Sequence, residues 1–174
     1  MPSVLVAYAS GEGQTAKVAR FIEDVLTYRG HDVTLRNVTD DPTVAPDDFD
    51  AVLVGSPVHN RKHLPSVVEF VHRNRDALGA RPNGFFQLSL AATIPFGWAE
   101  RGDEEFVNGL VGETGWQPDR VGLFAGAVKY SQYTPVERVL FKTVSAITTG
   151  DTDTAQDYEY TDWDDVESFA NEFA

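Results

Sequence analysis

Cysteine is absent from the 174-residue sequence, and this absence limits the chemistry that the chain can perform by itself. Without thiols it can form no disulfide, no thiolate metal site and no cysteine-held iron–sulfur cluster. A redox reaction would therefore need a bound cofactor as its electron acceptor. His59 and His63 flank Arg61 and Lys62, but no predicted helix places two of the four histidines as a metal pair, and we expect no metal site.

Basic residues are also scarce. Lysine and arginine together number 14 against 27 aspartates and glutamates, which gives a formal net charge of −13 at pH 7. Because contacts with phosphate backbones need clustered cations, we expect no nucleic-acid partner. The excess is typical of an acidic surface in a high-salt cytoplasm, where screening weakens the repulsion between carboxylates.

Long apolar runs are missing as well, since no segment approaches the ~20 apolar residues that a membrane span needs. The Met-Pro-Ser start leads directly into a predicted strand, without the basic and apolar segment of a signal peptide. We therefore expect a cytoplasmic protein. With 42% hydrophobic residues the chain can bury one sizeable core, which predicts a single domain over residues 1–174.

Strand-like and helix-like segments alternate along the chain. Apolar runs predict five strands, at 3–9, 32–38, 51–56, 84–91 and 121–128. Apolar residues at i, i+3 and i+4 spacing predict helices at 16–29, 64–78 and 104–114, and the acidic start of 162–174 favours a further helix. Because the strands are almost continuously apolar, they indicate an α/β fold whose parallel sheet is covered by helices on both faces.

A small polar loop separates the first predicted strand from the first predicted helix. It consists of Ser10, Gly11, Glu12, Gly13, Gln14 and Thr15. Free backbone N–H groups and the positive end of the helix dipole make such a position suitable for a phosphate. The two glycines allow the backbone to approach the phosphate closely, and the hydroxyls of Ser10 and Thr15 add hydrogen-bond donors. The spacing fits neither a nucleoside-triphosphate loop nor a dinucleotide loop. An ordinary strand-to-helix turn capped by Ser10 is the alternative.

Together with the sheet pattern, this loop resembles the phosphate loop of flavodoxins, usually written T-x-T-G-x-T, although Glu12 replaces a hydroxyl residue. The resemblance implies bound FMN. Ligands of open α/β sheets lie beyond the carboxyl ends of the strands, so the loops after the third and fourth strands would contact the flavin ring. The candidate residues there are Ser56, Pro57, Val58, His59 and Asn60 in the first loop, and Ser89, Leu90, Ala91 and Ala92 in the second.

Four motifs further along the chain point to a more specific family. In order, they are W-x-P-D-R at 116–120, A-G-A-x-x-Y at 125–130, T-D-T at 152–154 and Y-T-D-W at 160–163. Over essentially its whole length the chain is similar to the menaquinone-dependent protoporphyrinogen IX dehydrogenases, flavodoxin-like enzymes of haem synthesis. The resemblance implies a doubly wound five-stranded parallel sheet in the order 2-1-3-4-5. It also implies FMN, with Asp153 and Thr154 as further contacts, and oxidation of protoporphyrinogen IX to protoporphyrin IX with a quinone acceptor.

An inserted segment, at about 128–155, lies in a locally basic part of the chain. Between residues 120 and 149 the only carboxylate is Glu137, whereas four side chains are cationic. Periodicity predicts a helix at 135–147, whose apolar stripe either packs on the protein's own sheet or touches an anionic membrane surface or a porphyrinogen carboxylate. The candidate substrate or membrane contacts are Arg61, Lys62, Lys129, Arg138 and Lys142.

Three classes of function are compatible with these patterns. The first is a quinone-linked porphyrinogen dehydrogenase, the second is a flavodoxin-type FMN electron carrier without a small-molecule substrate, and the third is a non-redox signalling module. Fold alone does not choose among them. No residue pattern indicates a catalytic base. The resemblance favours the dehydrogenase, with menaquinone as its acceptor and a possible peripheral contact with the inner face of the cell membrane.

Overall fold

A sheet of parallel strands forms the centre of the protein in the computed structural model, which describes residues 2–10, 13–59, 62–89, 97–125, 127–128, 158–159 and 163–173. The strands are β1 (Ser3–Tyr8), β2 (Asp32–Asn37), β3 (Ala51–His59), β4 (Lys62–His63), β5 (Asn83–Ser89), β6 (Arg120–Ala125), β7 (Ala127–Val128) and β8 (Tyr158–Glu159). The helices are α1 (Gln14–Tyr28), α2 (Pro65–Gly79), α3 (Gly97–Thr114) and α4 (Trp163–Phe173), with a short 3-10 helix at Pro46–Asp48.

The main sheet has the order β2-β1-β3-β5-β6, and these five strands are parallel. The two-residue strand β4 pairs antiparallel with the end of β3, and β7 pairs antiparallel with β8 in a separate ribbon. When the short β4 is left out of the count, this is the predicted order 2-1-3-4-5. The doubly wound α/β fold is therefore confirmed.

Helices cover both faces of the sheet, as the apolar strands predict. On one face the apolar side chains of α2 and α3 pack on inward residues of β1, β3 and β5, around Phe70, Phe85 and Trp116. On the other face α1 and α4 pack around Phe86 and Phe169. Each fully buried large apolar side chain stabilises the fold by roughly 1.5–3 kcal/mol. All seven residues of β5 are buried, which places this strand at the centre of both cores.

Helix α1 illustrates how the sequence sets these faces. Its buried apolar residues Val18, Ile22 and Leu26 recur every four positions and face the sheet. The helix ends before Gly30, which has φ +93° and whose N–H donates to the carbonyl oxygen of Thr27 at 3.0 Å. Glycine adopts this left-handed conformation without the steric cost of a side chain, so it forms a favourable helix stop.

Three elements depart most from their predicted bounds, whereas the others agree to within two residues. The third strand continues beyond Ser56 to His59 because the β4 hairpin supplies hydrogen-bonding partners there, and α3 begins at Gly97 rather than at residue 104. The predicted fifth strand is interrupted and ends as two separate strands, β6 and β7. The predicted helix at 135–147 and nearly all of the insert at about 128–155 lie outside the described residues. None of the described helices is long and apolar enough to cross a membrane.

Candidate functional site

The carboxyl ends of β1, β3 and β5 meet at one edge of the sheet. Tyr8 pairs with Gly55 in the register of β1 with β3, and Pro57 pairs with Leu88 in the register of β3 with β5. The pairing continues past the end of β1, where the N–H of Ala9 donates to the carbonyl oxygen of Gly55 at 3.2 Å. The parallel topology therefore brings the carboxyl ends of these strands, where the predicted loops begin, to the same edge.

The turn before α1 is stabilised by one of its own hydroxyls. The N–H of Gly13 donates to Oγ of Ser10 at 2.9 Å, and Gly13, with φ +94°, is the residue that caps the helix. Within the described part of this loop no side chain caps α1, so the alternative of Ser10 as the helix cap is wrong. Ser10 instead fixes the turn that leads into the helix. Gly11 and Glu12 lie outside the described residues.

The amino end of α1 has the chemistry of an anion site. The first N–H groups of an α-helix have no carbonyl partner within it, and the helix dipole is positive at this end. Gln14 and Thr15 begin the helix with buried side chains, and the Ser10 hydroxyl can still donate its proton while it accepts from Gly13. Without a basic side chain among Ser10 and residues 13–15, binding would depend on backbone and hydroxyl donors. The residues present fit a phosphate group.

The predicted loop after the third strand is in fact the first arm of a β-hairpin. Val58 pairs with His63 and His59 pairs with Lys62, so the chain reverses direction at the sheet edge. Lys62 is exposed, whereas Ser56 is fully buried inside β3. Asn60 and Arg61 lie outside the described residues. The side chain of His59 also lies outside the described part of the chain.

The base of this hairpin is held by polar contacts that the sequence patterns did not indicate. Oγ of Ser56 accepts the N–H of Leu64 at 3.1 Å and donates to the carbonyl oxygen of Pro57 at 2.9 Å. Nε2 of His63 lies 2.9 Å from Oε1 of Gln87 in the middle of β5. Neither Gln87 nor His63 belongs to a recognisable motif, because their contact joins residues 24 positions apart in the sequence.

The environment of His63 keeps its ring neutral near pH 7. Its residue surface is only 7% exposed, and its ring packs edge-on against Phe85 with centroids 5.1 Å apart. Burial lowers the pKa of His63, although the contact with Gln87 and the charge of Glu113 act in the opposite direction. Because a carboxamide oxygen only accepts, Nε2 is the nitrogen that carries the proton.

A groove lies between α2 and α3 beside the hairpin. Its volume is about 730 Å³, and Lys62 and His63 form part of its wall. Three carboxylates, those of Glu69, Glu105 and Glu113, also line it. These carboxylates would repel an anionic ligand such as a dipropionate. The described part of this groove therefore offers an unfavourable environment for porphyrinogen carboxylates.

Of the remaining predicted site residues, the structure describes only Ser89. Ser89 is the last residue of β5, where it is buried and pairs with Ala125 of β6. The other candidate residues that lie outside the described ranges are Leu90, Ala91, Ala92, Lys129, Arg138, Lys142, Asp153 and Thr154. Among the residues that the structure describes, no group of three or more histidine, aspartate or glutamate side chains could hold a metal ion.

Relatives with a curated name match almost the whole chain. Protoporphyrinogen IX dehydrogenase [quinone] of Escherichia coli (strain K12) is 26% identical over 170 residues, which cover 98% of this chain and 93% of the relative. The Leishmania major protein of the same name is 28% identical over 177 residues, covering 99% of this chain and 75% of the relative.

Solved flavodoxins share the fold. Oxidised flavodoxin 1 from Bacillus cereus superposes with a TM-score of 0.54 at 14% identity, covering 98% of this chain and 96% of that one. A flavodoxin from Streptococcus pneumoniae TIGR4 gives 0.56 at 15% identity, covering 98% and 97%. The model of the flavodoxin domain family matches residues 5–155. Because that match spans most of the sequence, the chain belongs to the flavodoxin domain family.

Proposed function

We propose that this protein is an FMN-dependent dehydrogenase that oxidises protoporphyrinogen IX to protoporphyrin IX and passes the electrons to a quinone. The observation that carries this proposal is the near full-length match to curated relatives with that activity in their name. The flavodoxin domain and the flavodoxin structures that share its fold support FMN as the cofactor. Together they support a flavodoxin-type flavoprotein oxidoreductase.

The residues at the sheet edge would hold the two ends of FMN. The amino end of α1 would bind the phosphate through backbone N–H groups and the hydroxyls of Ser10 and Thr15. The β3–β4 hairpin and the segment after Ser89 would flank the ring. Bound FMN supplies the electron acceptor that the side chains of a cysteine-free chain lack.

The contribution of the chain itself is positioning and exclusion of water. His63 fixes the base of the hairpin through a buried hydrogen bond and Ser56 through a partly buried one, and all seven residues of β5 are buried. Conversion of the porphyrinogen to the porphyrin removes six electrons and six protons, which three two-electron quinone acceptors balance. We propose menaquinone as the acceptor. Because it is lipid-soluble, the insert containing Arg138 and Lys142 would contact the inner face of the membrane.

A second candidate function is that of an FMN electron carrier. The similarity in fold to solved flavodoxins, with TM-scores of 0.54 and 0.56, is compatible with it. A carrier would exchange electrons with protein partners and would need no site for a porphyrinogen. Since one fold hosts both functions, only the reaction itself distinguishes them.

An anaerobic turnover experiment tests the proposal. The full chain, loaded with FMN, is mixed with protoporphyrinogen IX and a soluble menaquinone analogue, and porphyrin fluorescence is followed at several salt concentrations. We expect quinone-dependent formation of porphyrin, with about three quinones reduced per porphyrin. Reactions without enzyme and without quinone are the controls. An FMN-loaded protein that takes electrons from a flavodoxin reductase but forms no porphyrin with any quinone would instead be a carrier.

A further inference from the structure

The contact between His63 and Gln87 links the hairpin at the sheet edge to β5, whose seven residues are all buried. Oε1 of Gln87 belongs to a residue with no exposed surface, opposite Ser56 in the register of β3 with β5. Nε2 of His63 donates to it at 2.9 Å from the last residue of β4. The hairpin is therefore attached to β5 by a side chain as well as to β3 by its backbone.

Other contacts around His63 restrict its position further. The ring stands perpendicular to that of Phe85, at an interplanar angle of 89°. Phe85 is itself in edge contact with Trp116, with centroids 6.1 Å apart. One residue after His63, the N–H of Leu64 donates to Ser56, and α2 begins at Pro65. These contacts fix the second arm of the hairpin between a rigid strand and the start of a helix.

A two-residue strand is too short to hold a hairpin by its backbone pairing alone. Within the described arms of this hairpin, the His63 side chain supplies a buried hydrogen bond to a different strand. We propose that His63, through Gln87, is a positioning residue that sets where the β3–β4 hairpin lies at the flavin edge. The hydrogen bond thereby determines how tightly FMN is held. This inference rests on the proposed function, since it assumes that the hairpin flanks the flavin ring.

Two variants distinguish a positioning role of His63 from a role in core packing alone. His63→Phe retains a ring against Phe85 but leaves Oε1 of Gln87 buried without this donor, which costs stability. His63→Phe combined with Gln87→Leu removes the donor and the acceptor of this contact together, so no Gln87 oxygen is left buried without the imidazole donor. The matched control is His72→Phe, at an exposed histidine of α2. We therefore expect the double variant to fold.

The first measurement is hydrogen exchange of the backbone amides of residues 58–64 in the full chain without added FMN. We expect exchange to be about tenfold faster in both His63 variants and unchanged in His72→Phe. The second measurement is the rate at which FMN leaves the loaded protein, followed by the recovery of free flavin fluorescence. We expect it to rise about tenfold in both His63 variants.

The double variant is decisive. If the contact between His63 and Gln87 only stabilised the core, a double variant as stable as the original protein would also retain FMN as well as the original protein does. If its stability, amide exchange and FMN release all match those of the original protein, the contact is core packing and the inference is overturned. Unchanged exchange in both His63 variants would overturn it too. If the original protein fails to bind FMN while exchange responds as expected, the proposed function fails, and the link between this hairpin and the core still stands.

Discussion

Nε1 of Trp116 donates a hydrogen bond to Oδ1 of Asn83, 3.2 Å away, and both residues are buried. The same oxygen accepts the N–H of Asp119 at 3.0 Å. Nδ2 of Asn83 donates to the carbonyl oxygens of Leu78 and Arg81 and to the Asp119 carboxylate. One side chain at the start of β5 thus joins the end of α2 to the W-x-P-D-R motif, whose tryptophan and aspartate have a structural role.

The first prediction concerns this network. Asn83→Leu removes every contact of the amide and leaves the Trp116 N–H buried without its acceptor, so we expect a loss of about 2–4 kcal/mol in the free energy of unfolding. Urea unfolding monitored by tryptophan fluorescence measures it. Trp116→Phe removes only one hydrogen bond and part of the ring, and it should cost less than Asn83→Leu. Equal losses for both variants would contradict a central role for Asn83.

The second prediction tests the phosphate site. Gly13→Val combined with Thr15→Ala should weaken FMN binding about 100-fold, because it strains the turn at φ +94° and removes a hydroxyl beside the helix end. Titration of the protein with FMN, followed by quenching of flavin fluorescence, measures this. Gly30→Val is a matched control: Gly30 has φ +93° at the opposite end of α1, and, as at Gly13, an added Cβ would meet no atom within 4 Å.

Gly30→Val imposes a similar backbone strain away from the proposed site. It should therefore lower stability by about 1–2 kcal/mol and leave FMN affinity unchanged. An equal loss of FMN affinity in Gly30→Val would attribute the effect to general destabilisation. Full FMN occupancy in the Gly13→Val, Thr15→Ala protein would rule out this phosphate site.

The third prediction uses the pKa of His63, which burial lowers from its ordinary value. The unfolded chain then binds a proton at a higher pH than the folded chain does. The contribution of His63 to the free energy of unfolding is therefore fully present above the unfolded pKa of about 6.5. It is lost as the pH falls from there through the folded pKa. Urea unfolding between pH 8 and pH 5 should therefore show a weaker pH dependence in His63→Phe than in the original protein.

The fourth prediction concerns the charge of Lys62 near the proposed flavin edge. A cation near the flavin ring raises the reduction potential, because it stabilises the negative charge of the reduced flavin. The Lys62 side chain is exposed to solvent, where screening weakens this effect. We expect Lys62→Glu to lower the two-electron potential by about 10–20 mV at low ionic strength, and by less at high salt. A shift that persists undiminished at high salt would be inconsistent with a screened surface charge.

The fifth prediction concerns the basic insert. If Arg138 and Lys142 meet anionic lipid, replacing both with glutamate should weaken binding to phosphatidylglycerol vesicles at least about tenfold at low salt, since each cation contributes about 1 kcal/mol. The difference should vanish in high salt. The charge-matched control replaces Arg20 and Arg75 with glutamate as well; both arginines are exposed, on α1 and α2. Equal weakening by the control would indicate a general charge effect rather than a contact made by the insert.

The position of the turn before α1 was predictable, because its features are local. The predicted turn after β1 lies within six consecutive residues, from Ser10 to Thr15. In the structure the Ser10 side chain contacts Gly13, and α1 begins at the next residue, Gln14. The hairpin was not predictable in this way. Val58 and His63 are paired across a reversal that has no recognisable turn motif, and Ser56 reaches Leu64 by a hydrogen bond that spans eight positions.

By itself the sequence determined the order of strands and helices and the faces that they bury. These follow from apolar periodicity, which acts through neighbouring residues along the chain. The resemblance of its ordered motifs also indicated the family and the strand order. Only the tertiary structure decided which distant polar groups meet, as Gln87 meets His63 and Asn83 meets Trp116. Such contacts depend on the register of β5 against its neighbours, and burial then forces each polar group to find a partner that the local sequence does not specify.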